Sequence, residues 1–205
     1  MKRILCFGDS NTWGYIPGSG KRYSENIRWT SLLQDLLGKD FEIIEQGCCN
    51  RTCFADSPDG IEQTGYKILP KYLNKDFDLI ILSLGINDIQ KIFNPSLDEI
   101  KTGLEQLINI VKSACPKTKI LIISPARLSS YVETEYFKNQ FDEVAIEKSK
   151  HLAKIYEGTA KDNDCLFFDW DRIAKVSEVD GLHFSSETHK KIAYALYDFL
   201  LSNDF

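Results

Sequence analysis

Five short apolar runs recur along the chain: Arg3–Phe7, Phe41–Glu45, Leu79–Ser83, Lys119–Ser124 and Cys165–Asp169. Stretches such as LIILS and KILIIS are continuous rather than alternating. Alternation marks a strand with one wet face, whereas a continuous run marks a strand covered on both. Amphipathic segments lie between the runs. Trp29–Leu37 is closed by Gly38, Gly60–Tyr72 and Phe137–Asp162 carry helical patterns, and Ser186–Leu201 ends the chain. In Leu97–Ser113, Leu97, Ile100, Leu104, Leu107, Ile108 and Val111 share one face, with Pro116 marking the exit. Ser96 and Glu99 stand at the spacing of a capping box ahead of that helix. Strand–helix alternation with right-handed crossovers predicts an α/β, three-layer αβα sandwich. Its core is a flavodoxin-like, doubly wound parallel five-stranded sheet. With no repeat, low-complexity tract or linker, residues 1–205 read as a single domain.

The overall charges narrow the partners. Twenty-five basic against 30 acidic residues give a net charge of −5, the wrong sign for a nucleic-acid footprint. No run approaches the ~18 apolar residues of a membrane span. Met1-Lys2-Arg3 is followed by an apolar run only as far as Phe7, too short for a signal peptide. A cytoplasmic location is expected, and the six cysteines then read as free thiols. Cys48, Cys49 and Cys53 cluster, but lack the second ligand pair of a structural zinc site. They remain open to two readings: small residues in a packed loop, or a redox-sensitive loop.

In open parallel sheets ligands bind beyond the carboxyl ends of the strands. Those ends carry the polar residues here. GDSNTWG presents Ser10, QGCCNRT presents Gly47 and Asn50, LGIND presents Gly85, Asn87 and Asp88, and the last loop presents Asp180 and His183. A serine hydroxyl needs a neighbouring base to act as a nucleophile. His151 and His189 fall inside expected helices, where a solvated or packed role is the default. His183 sits in a loop, three residues after Asp180, a carboxylate able to fix its tautomer. The N–H of Ser10, a backbone N–H near Asn50 and the Asn87 carboxamide are candidate donors to an oxyanion. Asp9 is expected to brace the loop. Asn11 and Trp13 are expected to line the substrate pocket, although an aromatic at position 13 also suits the core.

Gly8-Asp9-Ser10, Gly85-Ile86-Asn87-Asp88 and Asp180-Gly181-Leu182-His183 resemble the blocks of the SGNH, or GDSL-type, serine hydrolases. Asn11 stands where the usual signature has leucine. RWTSLL, FEIIEQG, ILIISPARL and VDGLHF are similar to the arylesterase and acyltransferase branch of that family. The resemblance implies Ser10 as nucleophile, His183 as base, Asp180 as its orienter and Asn87 as an oxyanion donor. It puts Asn50 at the position of the block-two glycine, whose backbone N–H completes the oxyanion hole. It also implies a small-molecule ester substrate, no cofactor, and enzymes that assemble as homo-oligomers. The leading expectation is thus an esterase for small acetyl, short acyl or aryl esters, with acyl transfer and carbohydrate deacetylation as variants. A flavodoxin-like flavin-binding protein and an idle scaffold of the same fold are the competing readings from other classes.

Overall fold

The computed structural model describes the whole chain, Met1–Phe205. Five strands, β1 (Lys2–Gly8), β2 (Phe41–Gly47), β3 (Leu79–Ser83), β4 (Lys119–Ser124) and β5 (Leu166–Asp169), form one parallel sheet in the order β2-β1-β3-β4-β5. This is the expected flavodoxin-like order. The helices are α1 (Ser10–Trp13), α2 (Trp29–Leu37), α3 (Gly65–Tyr72), α4 (Leu97–Ala114), α5 (Glu143–Asp162) and α6 (Ser186–Ser202).

Successive residues of the central strands feed two separate cores. Leu5, Phe7, Ile80, Leu82, Ile120 and Ile122 pack with α3, α4 and α5. Ile4, Cys6, Leu79, Ile81, Leu121 and Ile123 pack with α2 and α6. Both faces are therefore dry, which is why these strands are apolar at every position. At the edge, β2 is only half-buried along its length and tolerates Glu42 and Glu45.

Several boundaries differ from the expected ones. The segment expected to be helical from Phe137 is irregular up to Asp142, whose side chain caps α5 by accepting the Ala145 N–H. In the same way α3 begins at Gly65, not Gly60, and β5 at Leu166, because the Cys165 N–H still bonds the Ala160 carbonyl of the preceding turn. α4 starts with the expected capping box, Ser96 and Glu99 each bonding the other's backbone. His189, inside α6, is fully buried and accepts the Trp29 N–H, and burial lowers its pKa to about 4. His151 is exposed beside Glu147. No helix is long and apolar enough to cross a membrane.

Beyond β3, the chain turns at Gly85, with φ +121°. A Cβ there would lie 1.8 Å from Tyr156 Oη, which donates to the Leu84 carbonyl. Gly85→Ala should therefore cost about 2–4 kcal/mol in urea denaturation, combining backbone strain with overpacking. Combining it with Tyr156→Phe should give a loss smaller than the sum of the two; strict additivity would show that the clash is not the cause.

Candidate active site

Gly8, the last residue of β1, pairs with Gly47 of β2 and Ser83 of β3. A Cβ on Gly8 would meet Thr12 Oγ1 at 2.0 Å, and one on Gly47 would meet the Trp13 nitrogen at 2.2 Å. The two glycines thus let a single helical turn, α1, lie directly across the strand ends. Asp9 caps that turn, accepting the Asn11 N–H at 2.9 Å. Ser10 is its first residue, and its own N–H has no intramolecular acceptor.

The last loop reaches Ser10 from the other end of the chain. Asp180 Oδ1 accepts the backbone N–H groups of Leu182 and His183, at 3.1 and 3.0 Å. This closes a tight turn, helped by Gly181 at φ +69°, where a Cβ would strike the Val132 nitrogen. Asp180 Oδ2 lies 2.8 Å from His183 Nδ1, and His183 Nε2 lies 2.8 Å from Ser10 Oγ. A carboxylate facing Nδ1 assigns the proton there, which leaves Nε2 to accept the Ser10 hydroxyl. Ser10, Asp180 and His183 are all buried.

The two loops are tied together by Asn11. Its Nδ2 donates to the Leu182 carbonyl and its Oδ1 accepts the Phe184 N–H, both at 3.2 Å. Asn11 is buried, and both ends of its amide are used on the chain itself. Trp13 is half-buried, with the Arg22 guanidinium 5.2 Å from its ring centroid and Tyr15 beside it at 6.4 Å.

The other candidate oxyanion donors come from the segments that follow β2 and β3. Asn50 adopts φ +60°, a left-handed angle that asparagine tolerates better than most residues. Its N–H has no intramolecular acceptor, and its side chain turns away to donate to Asp59 at 3.0 Å. Asn87 Nδ2 donates to the Arg51 carbonyl at 3.0 Å while Gln90 donates to its Oδ1 at 3.2 Å, so the orientation of the amide is set from both ends. One N–H of that amide remains uncommitted.

Two organisers have no role in the sequence reading. Arg51 is buried with its guanidinium donating to the carbonyls of Gly8, Gln46 and Glu62. It lies 4.5 Å from the Phe7 ring centroid. Asp88 is buried and accepts three successive N–H groups, from Cys53, Phe54 and Ala55, at 2.6–2.9 Å. Their only sequence signal is adjacency to Asn50 and Asn87. A third, Tyr15, stacks on the His183 ring with centroids 4.0 Å apart and planes 23° apart; Phe137 lies 5.4 Å away on the same imidazole. The N–H of Gly18 also donates to Asp180 Oδ2 at 3.0 Å.

Burial governs the electrostatics. It lowers the His183 pKa below its ordinary ~6.5, outweighing the Asp180 carboxylate, which pulls the other way. The carboxylate alone would place it at or above that value; desolvation reverses the sign. At Asp180 burial pushes the pKa up, but the His183 imidazole and the turn's N–H groups hold it lower than usual. Asp9 rises to about 7 and Asp88 to about 6, again by burial. All six thiols are free. Burial pushes Cys49 up to about 12 and raises Cys48 and Cys53, so little reactive thiolate is present in the cluster. No group of histidine, cysteine and acidic side chains is arranged to hold a metal ion.

A parallel sheet with a buried serine–histidine–aspartate chain at its carboxyl rim is the arrangement of a serine hydrolase. Comparison with known proteins agrees. The GDSL-like lipase/acylhydrolase family matches residues 6–191, and the chain belongs to that family; it is an esterase. Among solved structures, an inhibitor-bound aryl esterase from M. smegmatis is 32% identical, with a TM-score of 0.92 over 98% of this chain and 99% of that one. A carbohydrate acetylesterase from Sinorhizobium meliloti is 31% identical, with a TM-score of 0.93 over 99% of this chain and all of that one. No curated protein gives a match.

Asn11→Ala should leave the Leu182 carbonyl and the Phe184 N–H unpaired. Thermal and urea unfolding should show a loss of about 1–3 kcal/mol. An unchanged midpoint would mean that the two loops are held without it.

Proposed function

We propose that the enzyme cleaves small carboxylic esters, of acetyl, short acyl or aryl type, through an acyl-enzyme on Ser10. The observation that carries this reading is the unbroken chain from Asp180 through His183 to Ser10, with two links of 2.8 Å. His183 Nε2 takes the hydroxyl proton as Ser10 Oγ bonds to the ester carbonyl carbon. The oxygen of that carbonyl becomes an oxyanion, held by the N–H groups of Ser10 and Asn50 and by the Asn87 amide. His183 then gives its proton to the departing alkoxide, and the C–O bond of the ester breaks. Water repeats the sequence on the acyl-enzyme and releases the acid. If an alcohol takes the place of water, the same steps transfer the acyl group. Tyr15 and Phe137 help to exclude bulk water from the imidazole. No step requires a cofactor.

Deacetylation of carbohydrates is the second reading. It is supported by the polar side chains in the cavity beside Asn50, and by the likeness to the Sinorhizobium meliloti enzyme.

Labelling with a fluorophosphonate, followed by peptide mass spectrometry, should modify Ser10 stoichiometrically, and Ser10→Ala should lose both labelling and p-nitrophenyl acetate turnover while remaining folded. Modification of another residue would remove Ser10 from the nucleophile's role. Asn87→Ala should lower kcat by about 10²–10³ with a smaller change in KM. The base works as neutral imidazole, so activity should rise with pH through the His183 pKa. Because burial lowers that pKa, the acid limb of kcat/KM should have its midpoint below ~6.5. A midpoint above 7 would contradict burial as the dominant influence.

A further inference from the structure

The Asp180 carboxylate accepts four hydrogen bonds. Three come from its own turn: the Leu182 and His183 N–H groups on Oδ1, and His183 Nδ1 on Oδ2. Those donors move with the turn, so they cannot set where the turn stands relative to Ser10. The fourth, the Gly18 N–H on Oδ2 at 3.0 Å, comes from 162 residues away. It is the one bond to this carboxylate that crosses between loops, and it starts from the chain leading out of α1.

Residues 14–23 form a hairpin that holds this donor in place. The Tyr23 N–H donates to the Gly14 carbonyl at 2.7 Å and the Ile16 N–H to the Lys21 carbonyl at 2.8 Å, with Tyr15 and Arg22 bridged antiparallel. Arg22 Nε donates to the Trp13 carbonyl at 2.7 Å, and its guanidinium pairs with Glu45 on the edge strand β2. The Gly20 N–H donates to Tyr15 Oη at 3.1 Å, which steadies the phenol stacked on the His183 imidazole. At the tip, Gly18 has φ +67°, and a Cβ there would meet Val179 Cγ1 at 2.7 Å and Tyr136 Cζ at 3.0 Å. Glycine is what allows the backbone to come this close to the carboxylate. The hairpin thus touches both partners of the Asp180–His183 pair, one through an N–H and the other through a ring.

We infer that this hairpin is a positioning element for the base: the Gly18 N–H sets the direction of Asp180 Oδ2, and the Tyr15 ring sets the plane of the imidazole that Oδ2 bonds. The inference rests on His183 acting as base for Ser10. It makes Gly18 and Tyr15 positioning residues, which act through Asp180 and His183 rather than on the ester. A donor on Oδ2 also shares the charge of the carboxylate, so it weakens the hold of Asp180 on an imidazolium.

The test replaces a single N–H. A synthetic Met1–Gly47 thioester, with glycolic acid in place of Gly18, is ligated to an expressed Cys48–Phe205 fragment, and the full chain is refolded. The same ligation with glycine gives the wild-type control. The exchange turns the Pro17–Gly18 amide into an ester, and the Pro17 carbonyl accepts no hydrogen bond that this would weaken. With p-nitrophenyl acetate, kcat/KM of the ester-containing chain should be about tenfold lower, as for the loss of a hydrogen bond to a charged group. The acid limb of its pH profile should move to higher pH, because the unshared carboxylate favours the imidazolium. His189, Tyr15, Tyr23 and Tyr136, the other titratable groups around the pair, are the same in both chains. In the recombinant protein, Tyr15→Leu should lower kcat/KM about two- to tenfold, and Tyr15→Phe, which keeps the ring, by less. Equal rates and equal midpoints in the two ligated chains, or lower thermal stability as the only effect of the ester, overturn the inference, as does a Tyr15→Leu rate equal to that of Tyr15→Phe. A ligated wild type that folds but neither hydrolyses p-nitrophenyl acetate nor reacts with fluorophosphonate at Ser10 overturns the esterase mechanism itself.

Discussion

The site depends on a close approach of backbone to backbone. Gly8 and Gly47 end adjacent strands in register, and neither has room for a side chain. Over that bare patch lies one turn of helix, and its first residue is Ser10. A larger residue at either strand end would lift the turn off the sheet. The serine would then leave the position set by the Asp9 cap, the Asn11 clamp and the His183 contact. The sheet thus supplies a rigid floor, and the loops above it are fastened to each other rather than only to the chain on either side.

Those fastenings are polar and buried, which carries a cost. Asp9, Asp88, Arg51, Asp180 and His183 all lie at the rim with almost no solvent contact. Asp9 and Asp88 have raised folded-state pKa values, about 7 and about 6. The native state therefore holds their protons more tightly than the unfolded chain, whose carboxyls titrate near ~3.9. That contribution to stability is lost as pH rises from the unfolded value through the folded one. His183 and His189 have lowered values, so their contribution runs the other way and is lost as pH falls from about 6.5 through their lower folded values, about 4 for His189. A dry rim strengthens each hydrogen bond aimed at developing charge. It also makes the same rim the most expensive part of the fold to bury.

What could be read from the sequence divides along the range of the interactions. The β strands were legible because two-sided burial writes itself directly into composition, and α4 because its capping box is local. The pairing of Asp180 with His183 was legible too: three residues apart, they form one turn. Asn50 was placed only through the resemblance to the family's second block; its φ of +60° is one that asparagine tolerates better than most residues. The single turn α1 went unseen, being too short to show a period. The clamp made by Asn11 was not legible because its partners, Leu182 and Phe184, lie more than 170 residues away. Arg51, Asp88 and Tyr15 were missed for the same reason. Their bonds to Gly8, to residues 53–55 and to the His183 ring exist only once the strands are side by side. The irregular start of the segment at Phe137 went unseen too: the helix begins only after Asp142, whose side chain caps it, and the Phe137 ring packs on His183.

The central claim is that donors from three separate loops face one point beside Ser10. It is tested most directly by a crystal structure of the enzyme phosphonylated on that serine, in which a phosphonyl oxygen stands in for the oxyanion. That oxygen should lie within about 2.7–3.1 Å of the Ser10 nitrogen, the Asn50 nitrogen and Asn87 Nδ2. An oxygen turned to solvent, or one held by none of the three, would contradict the account.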